Sequence, residues 1–305
     1  MKTIPSLVQK AVSLALFVGL VMLVQHYYGW VELLTPWRHL SGTSLLIALV
    51  LVGFSHLLRA ARVYDYFRTD TIGQFPRCLK VVLQHHLLNN LLPMRSGELS
   101  FPLFMSRYLE IPVQRSVPAL AWFRFLDFHT IIGLAALVAA QHFLSSWWLS
   151  LILLLLWLGF PILMIRITRN LEAALSGPRG KLASRVRMLL SGLPQSRDIF
   201  YRSWLWTIIN WSFKLSVFAW LMGQFGEVSF HAAWVGATVG DLTSVLPFHG
   251  IAGAGTYEAG VVAGLAPYGL APESALPLAV NLHLFILVSS GFLGLIAWLI
   301  PARLS

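Results

Sequence analysis

The chain has few charged residues and only one cysteine. Charged side chains make up 11% of the 305 residues and hydrophobic ones 57%, against about 25% and roughly 45–50% in an ordinary soluble domain. The single cysteine, Cys78, excludes an intramolecular disulfide and leaves no Cys-x-x-Cys pair for metal or redox chemistry. The composition therefore argues against a soluble domain and against a disulfide scaffold.

Long apolar runs account for the high hydrophobic content. A run of about 17–25 apolar residues can cross the hydrocarbon core of a bilayer as a helix. Bulky residues follow the first run at positions 26–30, where a signal peptide would need a small-residue cleavage site, so we expect a retained helix. We predict one all-α polytopic membrane domain over residues 1–305. Its six spanning helices are expected near residues 11–28, 43–59, 117–140, 147–167, 204–222 and 276–300.

Two further apolar segments, near residues 75–109 and 232–267, are interrupted by proline and glycine. Proline removes a helical donor and glycine costs helix stability, so neither segment is expected to cross as one helix. Each arm, with about 12–16 residues, is too short to span alone. We predict two re-entrant helical hairpins. Paired broken segments of this kind point to the substrate site of a transporter.

The basic residues are distributed asymmetrically. With a cytoplasmic N-terminus, the positive-inside rule holds for all 22 Lys and Arg residues except Arg38, Arg95, Arg124 and Lys214. The count assigns Arg59, Arg62 and Lys80 to a cytoplasmic connection. It places both termini in the cytoplasm and opens the two hairpins to opposite sides, which is the layout of an inverted-topology repeat.

In a soluble protein the net charge of +10 would suggest a nucleic-acid partner. In a membrane protein the basic residues mark the cytoplasmic side instead, so nucleic acid is not an expected partner. The predicted cytoplasmic loop, residues 168–203, is basic. Leu182, Val186 and Leu189 share one helical face there, which fits an amphipathic helix on an anionic leaflet. An ordinary solvated connector fits equally well.

Ionisable residues inside predicted membrane segments are the main candidates for function. A charge at the bilayer centre costs roughly 2.5–3.5 kcal/mol, so such residues must pair or line a wet cavity. Two pairs, Arg95/Glu98 and Arg124/Asp127, have i, i+3 spacing and can pair if the backbone is helical. Either pair can be a structural tie or part of a binding site. The candidates are Arg95, Glu98, Arg124, Asp127, Lys214, Asp241 and Glu258.

The first break has the features of an anion site. A helix that restarts there presents free N–H groups and a positive dipole end. Glycine lets a ligand or another backbone come close, and an arginine can hold a phosphate with two hydrogen bonds. The residues predicted to bind an anionic head group are Asn89, Asn90, Arg95, Gly97, Glu98, Arg124 and Asp127.

The second break is acidic and rich in glycine. Asp241 and Glu258 flank it with no basic residue between them, and a buried carboxylate without a cation can take up a proton near neutral pH. The alternatives are hydrogen bonds from the backbone of the hairpin or a pair with Lys214. The residues predicted for gating or proton coupling are Asp241, Gly253, Gly255, Glu258 and Lys214.

No cofactor is expected. His85-His86 and His249 invite a metal interpretation, but adjacent histidines on a helix point about 100° apart and no His-Glu-x-x-His motif or cysteine partner accompanies them.

These motifs resemble those of the lysylphosphatidylglycerol synthase membrane-domain family, also called the flippase-like domain family, which includes the membrane half of the multiple-peptide-resistance factor. The first motif is matched by Asn89, Asn90, Pro93, Arg95, Gly97 and Glu98. Arg124 and Asp127 match the second, with Phe123 where glutamate is usual. The third has His249 in place of the usual proline or glycine but fits at Pro247, Gly250, Gly253, Gly255 and Glu258.

The resemblance covers nearly the whole chain. It implies that the protein moves an anionic or aminoacylated phospholipid, or a polyprenyl-phosphate lipid, between leaflets of a bacterial inner membrane. No segment corresponds to a soluble aminoacyl-transfer domain, so enzymatic activity is not expected. The alternatives are an intramembrane enzyme acting on lipid phosphates and a non-transporting scaffold that uses the basic loop. A homo-oligomer and a separate lipid-modifying enzyme are left open as partners.

Overall fold

The fold is all-α, as the apolar runs predict. The computed structural model describes residues 4–144, 146–157, 196–243 and 251–301, together with the single positions 159, 162, 163 and 194. These residues form helices and contain no strand. The helices are α1 (Ile4–Tyr27), α2 (Trp30–Leu33), α3 (Thr35–His39), α4 (Gly42–Tyr66), α5 (Arg68–Thr71), α6 (Phe75–Leu91), α7 (Ser100–Leu109), α8 (Val113–Leu144), α9 (Trp147–Trp157), α10 (Arg197–Phe225), α11 (Phe230–Thr243), α12 (Thr256–Leu265) and α13 (Pro272–Leu299).

Three of the described helices are long and apolar enough to cross a membrane: α4, α8 over Val113–Val138, and α13. They confirm the helices predicted near 43–59, 117–140 and 276–300. A fourth span is added if Phe17–Tyr27 and Trp30–His39, whose axes meet at 92°, cross the membrane as one broken span. It would lie at the helix predicted near 11–28.

The spans predicted at 204–222 and 147–167 are helical in the described residues but are not among the three clear spans. Helix α10 covers the segment predicted at 204–222, and its 29 residues extend about 43 Å at about 1.5 Å per residue. It is not among the three clear spans, because polar residues such as Asn210 and Lys214 interrupt its apolar run. The span predicted at 147–167 is described as a helix only over Trp147–Trp157.

The first interrupted segment folds as a helical hairpin. Helix α6 ends at Leu91, a 3-10 turn runs over Pro93–Leu99, and α7 follows. The arms are antiparallel, since His85 on α6 hydrogen-bonds Ser100 at the start of α7, while Lys80 lies against the ring of Tyr108 near its end. The predicted break is therefore present.

The second interrupted segment also has two packed helical arms, α11 and α12. A Cβ atom on Gly264 would lie 2.9 Å from the Cα atom of Gly236, and one on Gly260 would lie 3.1 Å from the Cα atom of Gly240. These antiparallel contacts join two small-xxx-small patterns, which let helix backbones approach closely in membranes. Residues 244–250, which include His249 and the proline of this break, lie outside the described residues.

Each broken segment packs into its own apolar cluster. Val81, Phe101 and the buried Cys78 belong to a cluster that joins α6 and α7 to α4 and α8. Tyr257 and Val261 belong to another, which joins α12 to α10, α11 and α13. The charged residues lie between these two apolar regions.

Helix α13 contacts both broken segments. Toward its end it runs antiparallel to α6, where Ser290 accepts a hydrogen bond from Asn90 at 2.8 Å and the carbonyl of Ile300 accepts one from Lys80. Nearer its start, His283 hydrogen-bonds Glu258 of α12. One helix therefore touches both breaks.

Three of the basic residues that the charge count assigns to a cytoplasmic connection lie within helices. Arg59 and Arg62 lie within α4, and Lys80 lies within α6. Arg62 and Lys80 are both buried. A carboxylate accepts a hydrogen bond from Arg62, and a backbone carbonyl accepts one from Lys80, which offsets the cost of burying each charge. The predicted amphipathic helix in the loop 168–203 falls outside the described residues, except for position 194 and the chain from 196 onward.

Candidate functional site

A cavity of about 110 Å³ lies between the two broken segments. Its wall includes Asn89 and Asn90 from α6, Asp241 from α11 and Gly253 from the second break. The long helices supply Arg124 and Asp127 from α8 and Lys214 from α10. The two breaks, which are more than 140 residues apart in sequence, thus contribute to one polar cavity.

The predicted site residues divide into two groups. Asn89, Asn90, Arg124, Asp127, Lys214, Asp241 and Gly253 line the cavity. The other described ones lie behind the wall and contact it: Glu98 through Arg124, Glu258 through His283, and Gly97 through the backbone of Asn89. The side chain of Arg95 falls outside the described part of the structure.

Glu98 pairs across the bundle with Arg124. Their closest contacts are 2.8 Å from Nη2 to Oε1 and 3.1 Å from Nε to Oε2. The predicted Arg95/Glu98 pair falls outside the described part of the structure, because the side chain of Arg95 does. The backbone over Pro93–Leu99 is a 3-10 turn and not an α-helix. The first break is held by a guanidinium from the next long helix.

A hydrogen-bonded chain continues from Arg124 to the backbone of the break. The hydroxyl of Ser100 donates to the carbonyl of Gly97 at 2.6 Å, so it accepts from His85 Nδ1 at 3.0 Å. His85 Nε2 is then left to accept from Arg124 Nη2 at 3.1 Å. This chain fixes a neutral tautomer of His85. Both ring nitrogens of His85 are engaged in this chain.

Asp127 is shared by two arginines. Arg62 Nη1 lies 2.6 Å from Oδ1, and Arg124 Nη1 lies 3.4 Å from Oδ2. Trp211 Nε1 also donates to Oδ1 at 2.9 Å. The predicted Arg124/Asp127 pair is present, but the buried Arg62 is the closer partner. A buried carboxylate needs such compensation, because an uncompensated one carries the full cost of desolvation.

The second break also has its own partners. Lys214 donates to both carboxylate oxygens of Asp241 at 2.9 Å. Glu258 accepts from the Gly255 backbone N–H at 2.7 Å and lies 2.6 Å from His283 Nδ1. Asp241 therefore has a cationic partner, whereas the proton-uptake hypothesis assumes a carboxylate without one. Both alternatives raised from the sequence, a Lys214 pair and hydrogen bonds from the hairpin backbone, are present.

The glycines at the breaks meet specific geometric needs. A Cβ atom on Gly97 would lie 2.5 Å from the backbone N and Cα atoms of Asn89, so this residue lets the turn fold back onto α6. Gly253 and Gly255 have φ angles of 81° and 87°, which glycine adopts without strain.

Sequence reasoning missed Arg59. Its side chain lines the cavity and lies over the ring of Trp211, with its Cζ atom 5.2 Å from the centroid. Arg124 and Lys214 each hold a carboxylate, whereas no carboxylate of the described residues forms a salt bridge with Arg59. A signal was available: Ser55, Arg59 and Arg62 recur at i, i+4 and i+7 on an apolar helix, which places them on one face.

Beside the second break lie two further residues that sequence reasoning did not single out, Tyr257 of α12 and His283 of α13. His283 and Tyr257 line the cavity, and their rings pack with centroids 4.5 Å apart. The hydroxyl of Tyr257 is buried and has no hydrogen-bond partner among the described residues. Glu258 does not line the cavity but hydrogen-bonds His283 Nδ1, and this contact orients the imidazole that does line it.

The fold and the site define a polytopic helical membrane protein with a buried, charged cavity between two broken helical segments. The chain belongs to the family of the lysylphosphatidylglycerol synthase TM region, whose family model matches residues 10–294. Membership places it among membrane domains with a lipid-related function. A search of curated proteins finds no match.

Proposed function

We propose that the protein is a lipid flippase-type transporter that moves an anionic or aminoacylated phospholipid, or a polyprenyl-phosphate lipid, between leaflets. The observation that carries this proposal is the cavity between the two breaks, which Arg59, Arg124 and Lys214 line together. Ionisable groups inside a membrane protein mark substrate pathways, and a cationic cavity suits the one charge that these lipids share, a phosphate.

Arg59 is the residue that we expect to bind the phosphate first. Arg124 and Lys214 are already engaged by Glu98 and Asp241, so an entering anion must compete with a carboxylate for either one. Arg59 forms no salt bridge among the described residues, and its planar guanidinium suits bidentate contact with phosphate. Asn89 and Asn90 of α6 supply neutral hydrogen-bonding groups to the same cavity.

The size of the cavity limits what enters it. Pockets for drug-sized ligands have about 300–1,000 Å³, and this cavity has about 110 Å³. A phosphate group fits this volume and acyl chains do not. In this proposal the acyl chains stay among the exposed apolar side chains of the long helices while the head group passes through the interior.

The two hairpins open the cavity alternately, in this proposal, from opposite sides of a bacterial inner membrane, with both termini in the cytoplasm. The basic residues outside the spans support this orientation, although Arg59, Arg62 and Lys80 no longer count toward it. The Glu258–His283 pair is the group that we propose for proton coupling, because His283 faces the cavity and Glu258 joins it to the backbone of the second break.

The proposed activity involves no covalent change to the lipid, so the protein acts as a transporter and not as an enzyme. Its partners in this proposal are membrane lipids, and a separate enzyme would supply any modified head group. A homo-oligomer is compatible with this mechanism.

Leaflet exchange in reconstituted vesicles tests the proposal. Head-group-labelled anionic phospholipid and polyprenyl phosphate are compared with a labelled zwitterionic lipid. We expect wild-type protein to accelerate exchange of at least one anionic lipid, and Arg59→Gln and Arg124→Gln to reduce that rate at least tenfold. Equal exchange by wild type and both variants would contradict the assigned site.

A matched control uses Arg115, an exposed arginine that pairs with Asp70 outside the cavity. Arg115→Gln removes the same charge from the same chain and is expected to leave leaflet exchange within twofold of wild type. A loss as large as that of Arg59→Gln would show that net charge, and not the cavity, governs the rate.

A further inference from the structure

A second cavity, of about 30 Å³, adjoins the central one. Four residues belong to the walls of both: Arg59, His85, His86 and Arg124. The small cavity is completed by Arg62 and by the apolar side chains Val63, Val82, Phe101, Leu120 and Phe123. At about 30 Å³ it is roughly a quarter of the size of the central cavity, so it suits a smaller species.

The polar part of this wall is wholly basic. Three guanidinium groups and two imidazoles line the cavity, and no carboxylate of the residues that the structure describes does. Among the described residues, these three arginines form salt bridges with only two carboxylates, Glu98 and Asp127, which leaves one positive charge in excess.

Arg62 supplies an unpartnered donor. The residue is 7% exposed, and its Nη1 and Nη2 atoms face Asp127 at 2.6 and 3.4 Å. Its Nε atom is buried and has no hydrogen-bond partner among the described residues. A buried donor that lacks a partner costs free energy of the order of 1–3 kcal/mol, so this edge of the guanidinium calls for an acceptor.

We propose that the small cavity binds one monovalent anion of chloride size. A halide accepts from Arg62 Nε and offsets the excess positive charge, which a water does not. The apolar part of the wall favours a weakly hydrated anion. A monatomic anion needs less room than a phosphate, so the small cavity is proposed as a site separate from the lipid site.

The bound anion acts on the lipid site through the shared wall. Arg59 and Arg124 line both cavities. An anion in the small cavity therefore attracts the same two guanidinium groups that face the central cavity and restricts their positions. The protein therefore has a structural halide requirement that is separate from its substrate.

Thermal unfolding of the purified full chain, without added lipid, tests the site. Unfolding is followed in sodium chloride, sodium bromide and sodium isethionate at one pH and ionic strength, so that screening of surface charge is equal. We expect a saturable rise in Tm of about 2–4 °C in the two halides, because an anion that binds only the folded state stabilises it. Equal Tm in all three salts overturns the proposal.

Substitution of Phe123 provides a matched pair of variants. Phe123→Glu places a carboxylate beside Arg62 and is expected to remove the halide dependence of Tm, because the variant supplies its own anion. Phe123→Gln has nearly the same shape without the charge and is expected to keep that dependence. A halide effect in Phe123→Glu as large as that of wild type overturns the proposal.

Anomalous scattering from protein prepared in bromide keeps the test decisive if either variant fails to fold. We expect a peak between Arg59, Arg62 and Arg124 in the wild-type protein. A peak only in the central cavity, or no peak, overturns the small site. Neither result depends on leaflet exchange, so a failed transport assay and a failed halide site are distinguishable.

Discussion

Glu98 and Arg124 lie 26 residues apart in sequence and meet through one hydrogen bond, from Nε to Oε2 at 3.1 Å, and one ion-pair contact of 2.8 Å between Nη2 and Oε1. The pair fastens the turn of the first hairpin to α8. Every carboxylate predicted at the site has a partner on another helix or in the backbone of the break. The site is therefore a set of cross-links as well as a cavity.

Glu98→Gln removes the charge from this cross-link and keeps its shape. We expect the free energy of unfolding to fall by about 1.5–3 kcal/mol, the range for hydrogen bonds to charged groups, and leaflet exchange to fall with it. Denaturant unfolding in detergent measures the first effect. Asp70→Asn is the control, because Asp70 also holds an arginine through two hydrogen bonds, at 3.0 and 2.9 Å, but in an exposed position; its cost is expected at about 0–1 kcal/mol.

Asp127→Asn leaves Arg62 buried with a neutral partner. Removing one member of a buried pair typically costs about 3–5 kcal/mol, because the remaining charge is uncompensated. We expect a loss of this size in thermal or denaturant unfolding, larger than that of Glu98→Gln. A loss below that of the Glu98 variant would show that water reaches Arg62.

Gly97→Ala is expected to disturb the first break. The new Cβ atom would lie 2.5 Å from the Asn89 backbone, and backbone shifts forced by added atoms cost about 1–3 kcal/mol. Gly291→Ala in α13 is the control, since a Cβ atom there meets nothing within 4 Å and alanine is the better helix former by about 1 kcal/mol. Opposite signs of the change in unfolding free energy are the expected result; equal signs would contradict the close approach at Gly97.

Lys214 and Asp241 allow a structural role to be separated from a functional one. Either single change, Lys214→Met or Asp241→Leu, is expected to destabilise the protein by about 3–5 kcal/mol, whereas the double change is expected to restore stability, because buried ion pairs are often replaceable by apolar residues. If the pair serves transport, the stable double variant has lost leaflet exchange. A stable double variant with wild-type exchange would assign the pair to structure alone.

Acid unfolding reports on the Asp70–Arg115 pair. Hydrogen bonds from Arg115 hold the pKa of Asp70 below its usual 3.8 in the folded protein. The pair therefore stabilises the fold fully above the unfolded-state pKa, and this contribution is lost as the pH falls through the lower folded-state value. We expect wild type to lose more stability than Asp70→Asn between about pH 4 and pH 2, measured by unfolding at each pH. Parallel curves for the two proteins would contradict the shift.

The breaks were predictable from the sequence, but the partners were not. Proline and glycine at residues 93 and 97 end a helix by local chemistry, which a sequence displays directly. The pairs Arg62–Asp127 and Lys214–Asp241 depend on which helices become neighbours. The i, i+3 rule could find only the Arg124–Asp127 contact, because that pair shares one helix.

Arg59 shows a second limit of the sequence. It stands at the end of the apolar run 43–59, where an arginine usually marks the membrane boundary. The helix continues to Tyr66, however, and carries Arg59 and Arg62 inward to Trp211 and Asp127. A charge count assumes that helices end where hydrophobicity ends, and this helix does not.

Helix α13 holds Asn90 of the first hairpin and Glu258 of the second through Ser290 and His283, which lie seven residues apart. Those two positions are separated by about 10 Å along a rigid helix, at about 1.5 Å per residue. A shift of α13 along its axis moves Ser290 and His283 by the same distance in the same direction. Such a shift therefore changes the hydrogen bonds of α13 to both breaks together.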